Sequence, residues 1–302
     1  MIKKLPDSFD NSKKRYSWYE DIEYKAYWED PSQVRQDHLE QHIIMKLLPI
    51  SGRRIIDLGC GYSRLFPCYA GRFAEIVLFD GSLSLLRQAR EATQGRALCV
   101  AGDVSHLPFK KSSFDCVLII RVLQHAHELH KTFMEIRRVL GREGSFIFSY
   151  HNKRNAHRIL NWLLLKRIVN PFSLESKEVC LGLLSHHPNH IKACLHNTGF
   201  SPANYQGALV LNSIAKIVEK ISSRSPSGSL LAPFLGKHKL APWLIGQALA
   251  QGGEAFNHRE SSNETLQCPI CQGALILEDR GFHCFACSRI YPILDGIIDM
   301  RP

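Results

Sequence analysis

Hydrophobic positions along this chain fall into short runs separated by segments of helical spacing. Ile55, Ile56 and Leu58, then Ala74 to Phe79, Arg96 to Ala101, Phe114 to Ile120 and Ser145 to Tyr150 are brief, mostly apolar runs. Such runs, lacking polar alternation, read as strands buried on both faces of a parallel sheet. Between them, residues at about 62–71, 82–93 and 128–140 carry helical periodicity. Arg138 to Gly141, followed by Gly144, gives a helix end and a turn into the fifth strand. Strand alternating with helix predicts an α/β domain whose sheet is covered on both faces.

The flanking segments extend this plan. Asp30-Pro31 reads as an N-cap and a first-turn proline, opening a helix to about Leu48 with Val34, His38, Ile44 and Leu48 facing inward. Residues 1–30, with six aromatics from Tyr16 to Trp28, form an N-terminal arm whose rings can pack the sheet edge. Pro188 to Thr198 reads as a helix ending at Gly199, with Phe200 to Tyr205 a sixth strand and Trp243 to Leu249 an antiparallel seventh. Residues 208–240 read as an insertion: Ile214, Ile217, Val218 and Ile221 share a helix face, and a Ser/Pro/Gly-rich loop, Ser222 to Ser229, follows. It is either a lid over a pocket or a surface excursion. Asn152 to Val169 is amphipathic, with Ala156, Ile159, Leu160, Leu163 and Leu164 on one face and Lys153, Arg154, His157 and Arg158 on another. A membrane-surface helix and a helix packed on the sheet both carry this pattern. Polar residues 251–266 read as a linker.

Composition changes this picture little. A chain of 302 residues is long enough for one domain of about 220 residues (31–250) and a small module. The formal net charge of +10 fits an acidic partner, RNA or an anionic membrane, as well as a solvated basic surface. The first 21 residues lack the apolar core of a signal peptide, and Ile159 to Val169 is interrupted by Asn161, Lys166 and Arg167 and is too short to span a bilayer. Ten cysteines without a secretory signal predict a reducing, cytoplasmic setting. Six of them, Cys60, Cys68, Cys99, Cys116, Cys180 and Cys194, are scattered in apolar contexts as buried thiols.

Candidate chemistry begins at Ile55-Ile56-Asp57-Leu58-Gly59-Cys60-Gly61-Tyr62-Ser63-Arg64. A strand end, a glycine turn and a helix start make a cofactor cradle. Asp80 ends the second strand about 20 residues on, the place of an acid that binds a ribose hydroxyl pair. Gly102-Asp103-Val104 follows the third strand. With "IVLFDGSLSLLRQAR", "AGDVSHLPFKKSSFDCVLIIRVLQHAHE" and "EIRRVLGREGSFIFSYHN", the chain over roughly residues 40–205 resembles the class I S-adenosylmethionine (SAM)-dependent methyltransferases, in the group that includes the quinone-biosynthesis enzymes. The resemblance implies a Rossmann-like, seven-stranded, mostly parallel sheet. It also implies SAM held by Asp57, Gly59, Cys60 and Gly61 at its methionine end, Asp80 and Gly81 at the ribose, Asp103 and Val104 at the adenine, with Arg121 alongside. For residues 1–30 it implies instead an arm folded over the cofactor. Ser63 stands where the family often has a third glycine, and its small side chain suits the helix–strand contact.

At the other end, Cys268-Pro-Ile-Cys271 and Cys284-Phe-Ala-Cys287 lie twelve residues apart. Paired C-x-x-C turns present four thiolates to one ion, and four cysteines close a structural zinc site, one per chain. Residues 267–302 also resemble the small zinc-ribbon proteins that partner and activate methyltransferases acting on tRNA, rRNA and release factors, most closely in "YPILDGI". A ribbon fused to the enzyme implies docking within the chain, the alternative being a mobile tail that recruits an RNA or protein partner. Phe282, Phe285, Ile290, Tyr291, Ile293, Ile297 and Ile298 exceed what so small a module can hide inside itself, which points the same way.

Methyl transfer needs an aligned nucleophile and, for some acceptors, a base on loops at the carboxyl ends of the strands. Arg121, Gln124 and His125 follow the fourth strand, Tyr150, His151 and Asn152 the fifth, and His186, His187 and His190 lie before the next helix. His151, directly after its strand, is the preferred base; His125 occupies a position the family fills whatever the chemistry. No acid is spaced to complete a metal site with His186 and His187. The expected activity is methyl transfer to a small molecule or lipid-like metabolite. The alternatives are an RNA or ribosome methyltransferase that uses ribbon and basic surface for binding, and a non-catalytic SAM-binding scaffold. The absence of an "NPPY"-type tetrapeptide after the fourth strand weakens methylation of exocyclic amino groups.

Overall fold

The computed structural model of the protein describes residues 24–164, 169–180, 183–207, 236–256 and 260–301. The N-terminal arm before residue 24 and residues 208–235 of the expected insertion lie outside the described residues.

Helices α1 (Tyr24–Glu29) and α2 (Pro31–Leu47) lead into β1 (Gly52–Leu58), followed by α3 (Phe66–Tyr69), β2 (Phe73–Asp80), α4 (Leu83–Ala92) and β3 (Leu98–Ala101). Next come β4 (Phe114–Ile119), a 3-10 turn at Leu123–His125, α5 (Leu129–Val139), β5 (Leu140–His151) and α6 (Ala156–Leu163). A hairpin of β6 (Lys177–Cys180) and β7 (Leu183–Ser185) precedes α7 (Pro188–Asn197), β8 (Asn204–Gly207) and β9 (Trp243–Leu249). The tail adds β10 (Leu275–Glu278), β11 (Gly281–Cys284), β12 (Arg289–Tyr291), β13 (Ile293–Leu294) and β14 (Ile297–Asp299).

The main sheet runs β13-β14-β3-β2-β1-β4-β5-β9-β8. Its inner strands β3, β2, β1, β4 and β5 are parallel, and β9 returns antiparallel to both β5 and β8. Odd and even positions serve opposite faces, as a strand's period of two requires. Ile56, Leu58, Val77, Phe79, Val117 and Ile119 pack with Phe133 and Ile136 of α5 and Ile191 and Leu195 of α7. Ile55, Ile76, Leu78, Cys116 and Leu118 pack with Ile44 of α2, Tyr69 of α3 and Leu86 of α4. Strands apolar on both faces therefore lie where two helix layers cover them.

Several expected boundaries move. The helix expected over 62–71 is regular only from Phe66 to Tyr69, because Gly61 and Ser63 hold left-handed φ angles of 56° and 67° in the preceding turn. The helix expected from Asn152 begins at Ala156, since Asn155 is its N-cap and accepts from the Arg158 N–H at 3.0 Å. The sixth strand is regular only from Asn204, with Phe200 making a single antiparallel bridge to Ala250 ahead of it.

The larger difference is at the sheet's other edge. Seven strands follow the expected order, and the tail supplies two more. β14 lies parallel to β3, pairing Ile297 with Cys99 and Ile298 with Val100, and β13 closes a hairpin onto it. The described residues of the stretch expected as a linker, 251–256 and 260–266, are held against the sheet. Lys110 N donates to Thr265 O at 2.7 Å, Gln267 N to Pro108 O at 3.0 Å, and Leu266 is buried beside Phe109. The buried Arg54 guanidinium bonds Glu75, the Ser262 hydroxyl at 3.1 Å, Ser113 O and Glu260 O. Of the tail's apolar residues, Phe282, Tyr291, Ile297 and Ile298 are buried, whereas Phe285, Ile290 and Ile293 are exposed. Ile297 and Ile298 lie on β14 and enter the two core clusters on opposite faces of the sheet, whereas Ile293 lies on the edge strand β13.

Ile297 has no exposed surface and packs among Leu83, Leu86 and Ala101. Ile297→Ala should therefore destabilise the whole protein by about 2–4 kcal/mol, the range for truncating a buried isoleucine. Urea unfolding with hydrogen exchange at residues 98–101 checks this. Unchanged stability and protection would mean that β14 does not close the sheet edge in solution.

Candidate functional site

The site is assembled at the carboxyl ends of β1, β2 and β3. Gly59 follows β1 with φ of 71°, and a Cβ there would stand 2.2 Å from Val122 Cγ2, so only glycine lets the segment after β4 approach this turn. Asp80 closes the turn from β2: Gly61 N–H donates to its Oδ2 at 2.9 Å and Ser82 N–H to its Oδ1 at 2.9 Å. A carboxylate accepts at both oxygens, which is what a ribose hydroxyl pair requires of its partner. Beyond β3, Asp103 Oδ1 accepts from the Ser105 N–H and hydroxyl at 2.8 and 2.6 Å, which fixes the turn carrying Val104. Cys60 is buried between the glycines, and burial pushes its thiol well above the usual range.

Asp57 differs from the other acids. It is buried and accepts the Tyr69 hydroxyl at 2.7 Å, and burial raises its pKa to about 7. A cationic ligand group nearby would restore its charge. Ser63 takes a left-handed φ of 67°. Ser63 is also buried, so a left-handed backbone adds to the size limit expected there, and serine meets the backbone demand with some strain.

A second group lies over β4 and β5. Arg121, also left-handed at φ 60°, donates its backbone N–H to the Ser149 hydroxyl at 2.8 Å. Its Nε and Nη2 both donate to Glu40 Oε1, at 2.8 and 2.6 Å, and its guanidinium lies 4.8 Å from the Trp28 ring centroid and 4.4 Å from that of Trp243. Glu40 is also bonded by Arg64 Nη2 at 2.8 Å, and Arg64 itself reaches Asp37 and lies 3.9 Å from the Trp28 centroid. No role was legible for Glu40 or Arg64 in the sequence, and Trp28 showed only as one of the arm's aromatics. Arg64 follows the glycine turn directly, and that place was its one signal.

His151 ends β5 against Trp243, with ring centroids 5.4 Å apart. His125 follows β4, and the buried His186 bonds Leu123 O through Nε2 at 2.9 Å and the Ser176 hydroxyl through Nδ1 at 2.8 Å. The sheet thus brings Asp57, Gly59, Cys60, Gly61, Asp80, Gly81, Asp103 and Val104 to one side of its carboxyl edge. Arg121, His125 and His151 fall on the neighbouring side.

The four tail cysteines converge separately. The sulfurs of Cys268, Cys271, Cys284 and Cys287 all lie within 4.8 Å of one another, with Cys268–Cys287 at 3.6 Å and Cys271–Cys284 at 3.4 Å. A tetrahedral zinc with bonds of about 2.3 Å places its sulfurs about 3.8 Å apart, so the cluster fits such an ion. Gln272 and Ser288, each just after a C-x-x-C pair, turn left-handed at φ 58° and 56°. The tail also touches the turns beside the acids: Met300 N donates to Ala101 O at 2.8 Å, and Arg301 Nη1 to Gly81 O at 3.4 Å.

Burial pushes His125, His151 and His186 down to about 4. An unfolded imidazole protonates near 6.5, above the folded value, so the folded state holds them neutral. The stability this permits is complete above about pH 6.5 and is lost as pH falls toward 4. Between pH 7.5 and 5.5 each should cost a little over about 1 kcal/mol; Asp57, whose folded pKa of about 7 lies above its unfolded value, gains about 2 kcal/mol over the same interval, so the net loss should be about 2 kcal/mol. Urea unfolding at the two pH values is the check, and a flat profile would contradict the burial of these rings.

Residues 56–148 match the family model described as Methyltransferase domain. A demethylmenaquinone methyltransferase of Thermobifida fusca is 28% identical over 135 residues, 42% of this chain and 57% of the relative. A malonyl-acyl-carrier-protein O-methyltransferase of Legionella pneumophila is 33% identical over 110 residues, 35% of this chain and 38% of the relative. The chain spans about half the length of the curated relatives it matches. Among solved structures, a chain from the complex of the Haloferax volcanii Trm112 methyltransferase activator with a candidate methyltransferase aligns over 77% of this chain and 97% of its own, at a TM-score of 0.54 and 17% identity. At that identity the likeness is one of fold. The family match runs from β1 into β5 and takes in the glycine turn, Asp80 and Asp103, so residues 56–148 are a methyltransferase domain.

Proposed function

We propose that this chain is a SAM-dependent methyltransferase whose C-terminal ribbon holds zinc and braces the cofactor site from within the same polypeptide. The observation that carries the reading is the Asp80 carboxylate, fixed by the Gly61 and Ser82 N–H groups at the tip of β2. Asp80 and Gly81 would hold the ribose, Asp103 and Val104 the adenine, and Asp57, Gly59, Cys60 and Gly61 the methionine end, with Arg121 beside them. Bound SAM supplies a methyl group activated on a sulfonium.

The chain's own part is alignment, exclusion of water and, where the acceptor needs it, removal of a proton. Trp28, Arg121 and Trp243 form a stacked wall on the acceptor side. His151 is neutral at pH 7 and able to accept a proton, but burial that holds its pKa near 4 makes it a weak base. It suits an acceptor that is already nucleophilic, or one whose binding raises the imidazole pKa.

The acceptor we favour is a small molecule or lipid-like metabolite, in keeping with the names of the curated relatives. The second reading, an RNA or ribosomal acceptor, draws on the +10 charge. In the Haloferax complex the activator is a separate protein; here we assign that role to the ribbon, whose β14 extends the sheet beside β3. The reading divides the chain into an arm (1–30), a catalytic domain (31–250, with an insertion at 208–240), a connecting stretch (251–266) and the ribbon (267–302). The nine cysteines with described side chains are unpaired, and no described helix is long and apolar enough to cross a membrane. We assign the protein to the cytoplasm.

Labelled SAM incubated with fractionated lysate should label one of the RNA, lipid or small-molecule pools; no transfer to any pool would leave only the scaffold reading. Asp80→Ala should weaken SAM by about 1–3 kcal/mol, since hydroxyls and backbone donors lose their acceptor. Calorimetry with unchanged affinity would remove Asp80 from the site. Cys268→Ser or Cys287→Ser should abolish binding of one zinc per chain and, because β14 belongs to the main sheet, lower the melting temperature of the entire protein. Elemental analysis finding no zinc in protein purified without chelator would refute the metal assignment.

A further inference from the structure

Past the end of β5 the backbone keeps pairing. Asn152 bridges His186 in parallel, His186 N donates to His151 O at 2.9 Å, and Lys153 N donates to His186 O at 3.0 Å. This draws the β6–β7 hairpin and the start of α6 to the acceptor side of the sheet edge. The side chains that gather there are almost all basic: Lys153, Arg154, Arg158, Lys177 and Lys239, next to His151.

These cations are placed at a cost. Lys153 is 1% exposed, and its ammonium donates to the Ser173 hydroxyl at 2.6 Å and to Glu175 O, neither of them a carboxylate. Arg158 is half-buried; its Nη1 donates to the Ser185 hydroxyl at 2.9 Å. Among the described residues none of the five makes an ion pair, and Glu175 is the one acid whose charge bears on Lys153. Burial lowers the pKa of Lys153, Arg158 and Lys239 and, with neighbouring cations, those of His151 and His187. Charged groups packed together without counter-charge are unfavourable unless something supplies it. The basic surface elsewhere is different in kind: Arg53, Arg54, Arg64 and Arg121 are each matched by Glu75 or Glu40.

We propose that this cluster is the recognition site for an oxyanion, a phosphate or carboxylate group, carried by the methyl acceptor, with the Arg158 guanidinium as its principal contact. The proposal rests on the methyltransferase reading for the word acceptor, and on the side-chain cluster for the anion. With one donor spent on Ser185, Arg158 keeps its Nε and Nη2 donors, the planar fork that matches a carboxylate or phosphate edge. Lys153 behind it adds a fixed positive charge, and Lys177 is exposed at the rim. An anion seated there stands next to His151. It would anchor the acceptor by a non-reacting group and leave the reacting atom to the Trp243 and Arg121 wall.

The test uses full-length protein saturated with S-adenosylhomocysteine, titrated calorimetrically with inorganic phosphate, pyrophosphate and acetate at constant ionic strength. Saturable binding at one site is expected for the wild type. Arg158→Gln should weaken it by about tenfold or more, Arg158→Lys should restore part of the loss, and Lys177→Gln should cost a few-fold. S-adenosylhomocysteine affinity should not change. Preference for the phosphates marks a phosphorylated acceptor, and preference for acetate a carboxylated one. Wild-type protein that binds S-adenosylhomocysteine but no anion, or anion binding equal in wild type and Arg158→Gln, overturns the proposal. An RNA oligonucleotide bound equally by both proteins also overturns it, because it would move anion recognition to the outer surface. Failure to bind S-adenosylhomocysteine would instead bring down the methyltransferase reading.

Discussion

Glu40 is a charge that this fold has no cheap way to hold, and the site is arranged around how it is held. Its carboxylate is 1% exposed and lies between the Arg64 and Arg121 guanidiniums. Arg64 follows the glycine turn after β1, Arg121 follows β4, and Glu40 comes from α2. Three separate parts of the chain therefore meet at one buried ion cluster, with Trp28 lying against both guanidiniums. Removing one partner of such a cluster leaves an uncompensated charge, typically costing 3–5 kcal/mol. The glycine turn after β1 and the segment after β4 are thus mechanically joined through one residue.

The two ends of the sheet use polar groups differently. At the amino end, Asp115 Oδ2 accepts the Arg53 and Arg54 N–H groups, each at 2.7 Å, and Arg54 spends its guanidinium on Glu75, Ser113 and the segment around Glu260. Each guanidinium nitrogen of Arg54 has a partner inside the protein, which is the arrangement of a structural joint. The carboxyl end keeps unspent capacity, in the Nε and Nη2 donors of Arg158. That contrast, more than the number of charges, distinguishes a surface built to receive a ligand.

The parallel strands were legible because burial on both faces writes a continuous apolar run, and Asp80 because its spacing from Gly59 is set by one crossover helix. Glu40 was not legible. An acid at a polar position of an amphipathic helix looks like any solvated one until Arg64 and Arg121 arrive from elsewhere in the chain. Ser63 was read as a matter of size alone, and the left-handed φ angle it also holds is one that sequence expresses only through glycine. Ile297 and Ile298 stood out as apolar, and docking of the ribbon followed from them. That they dock as a strand did not follow, because pairing to β3 depends on an open sheet edge that no local pattern reveals. Phe285 and Ile290 carry the same hydrophobicity and remain exposed, since only one side of the ribbon meets the domain.

The pairing of β14 with β3 joins Cys99 to Ile297, positions 198 residues apart (297 − 99). A contact of such sequence separation closes slowly, because the loop entropy must be overcome before the hydrogen bonds form. While the chain is being made, the methyltransferase core emerges well before the strand that covers it. Over that interval β3 presents an open row of N–H and C=O groups and the apolar surface that Ile297 and Ile298 later cover. Open edges of this kind invite pairing with another chain. The fused ribbon therefore sets a timing problem that a core with a self-capped edge would not face: the yield of native protein should depend on how quickly the nascent tail folds back, and hence on temperature and chaperone supply during synthesis.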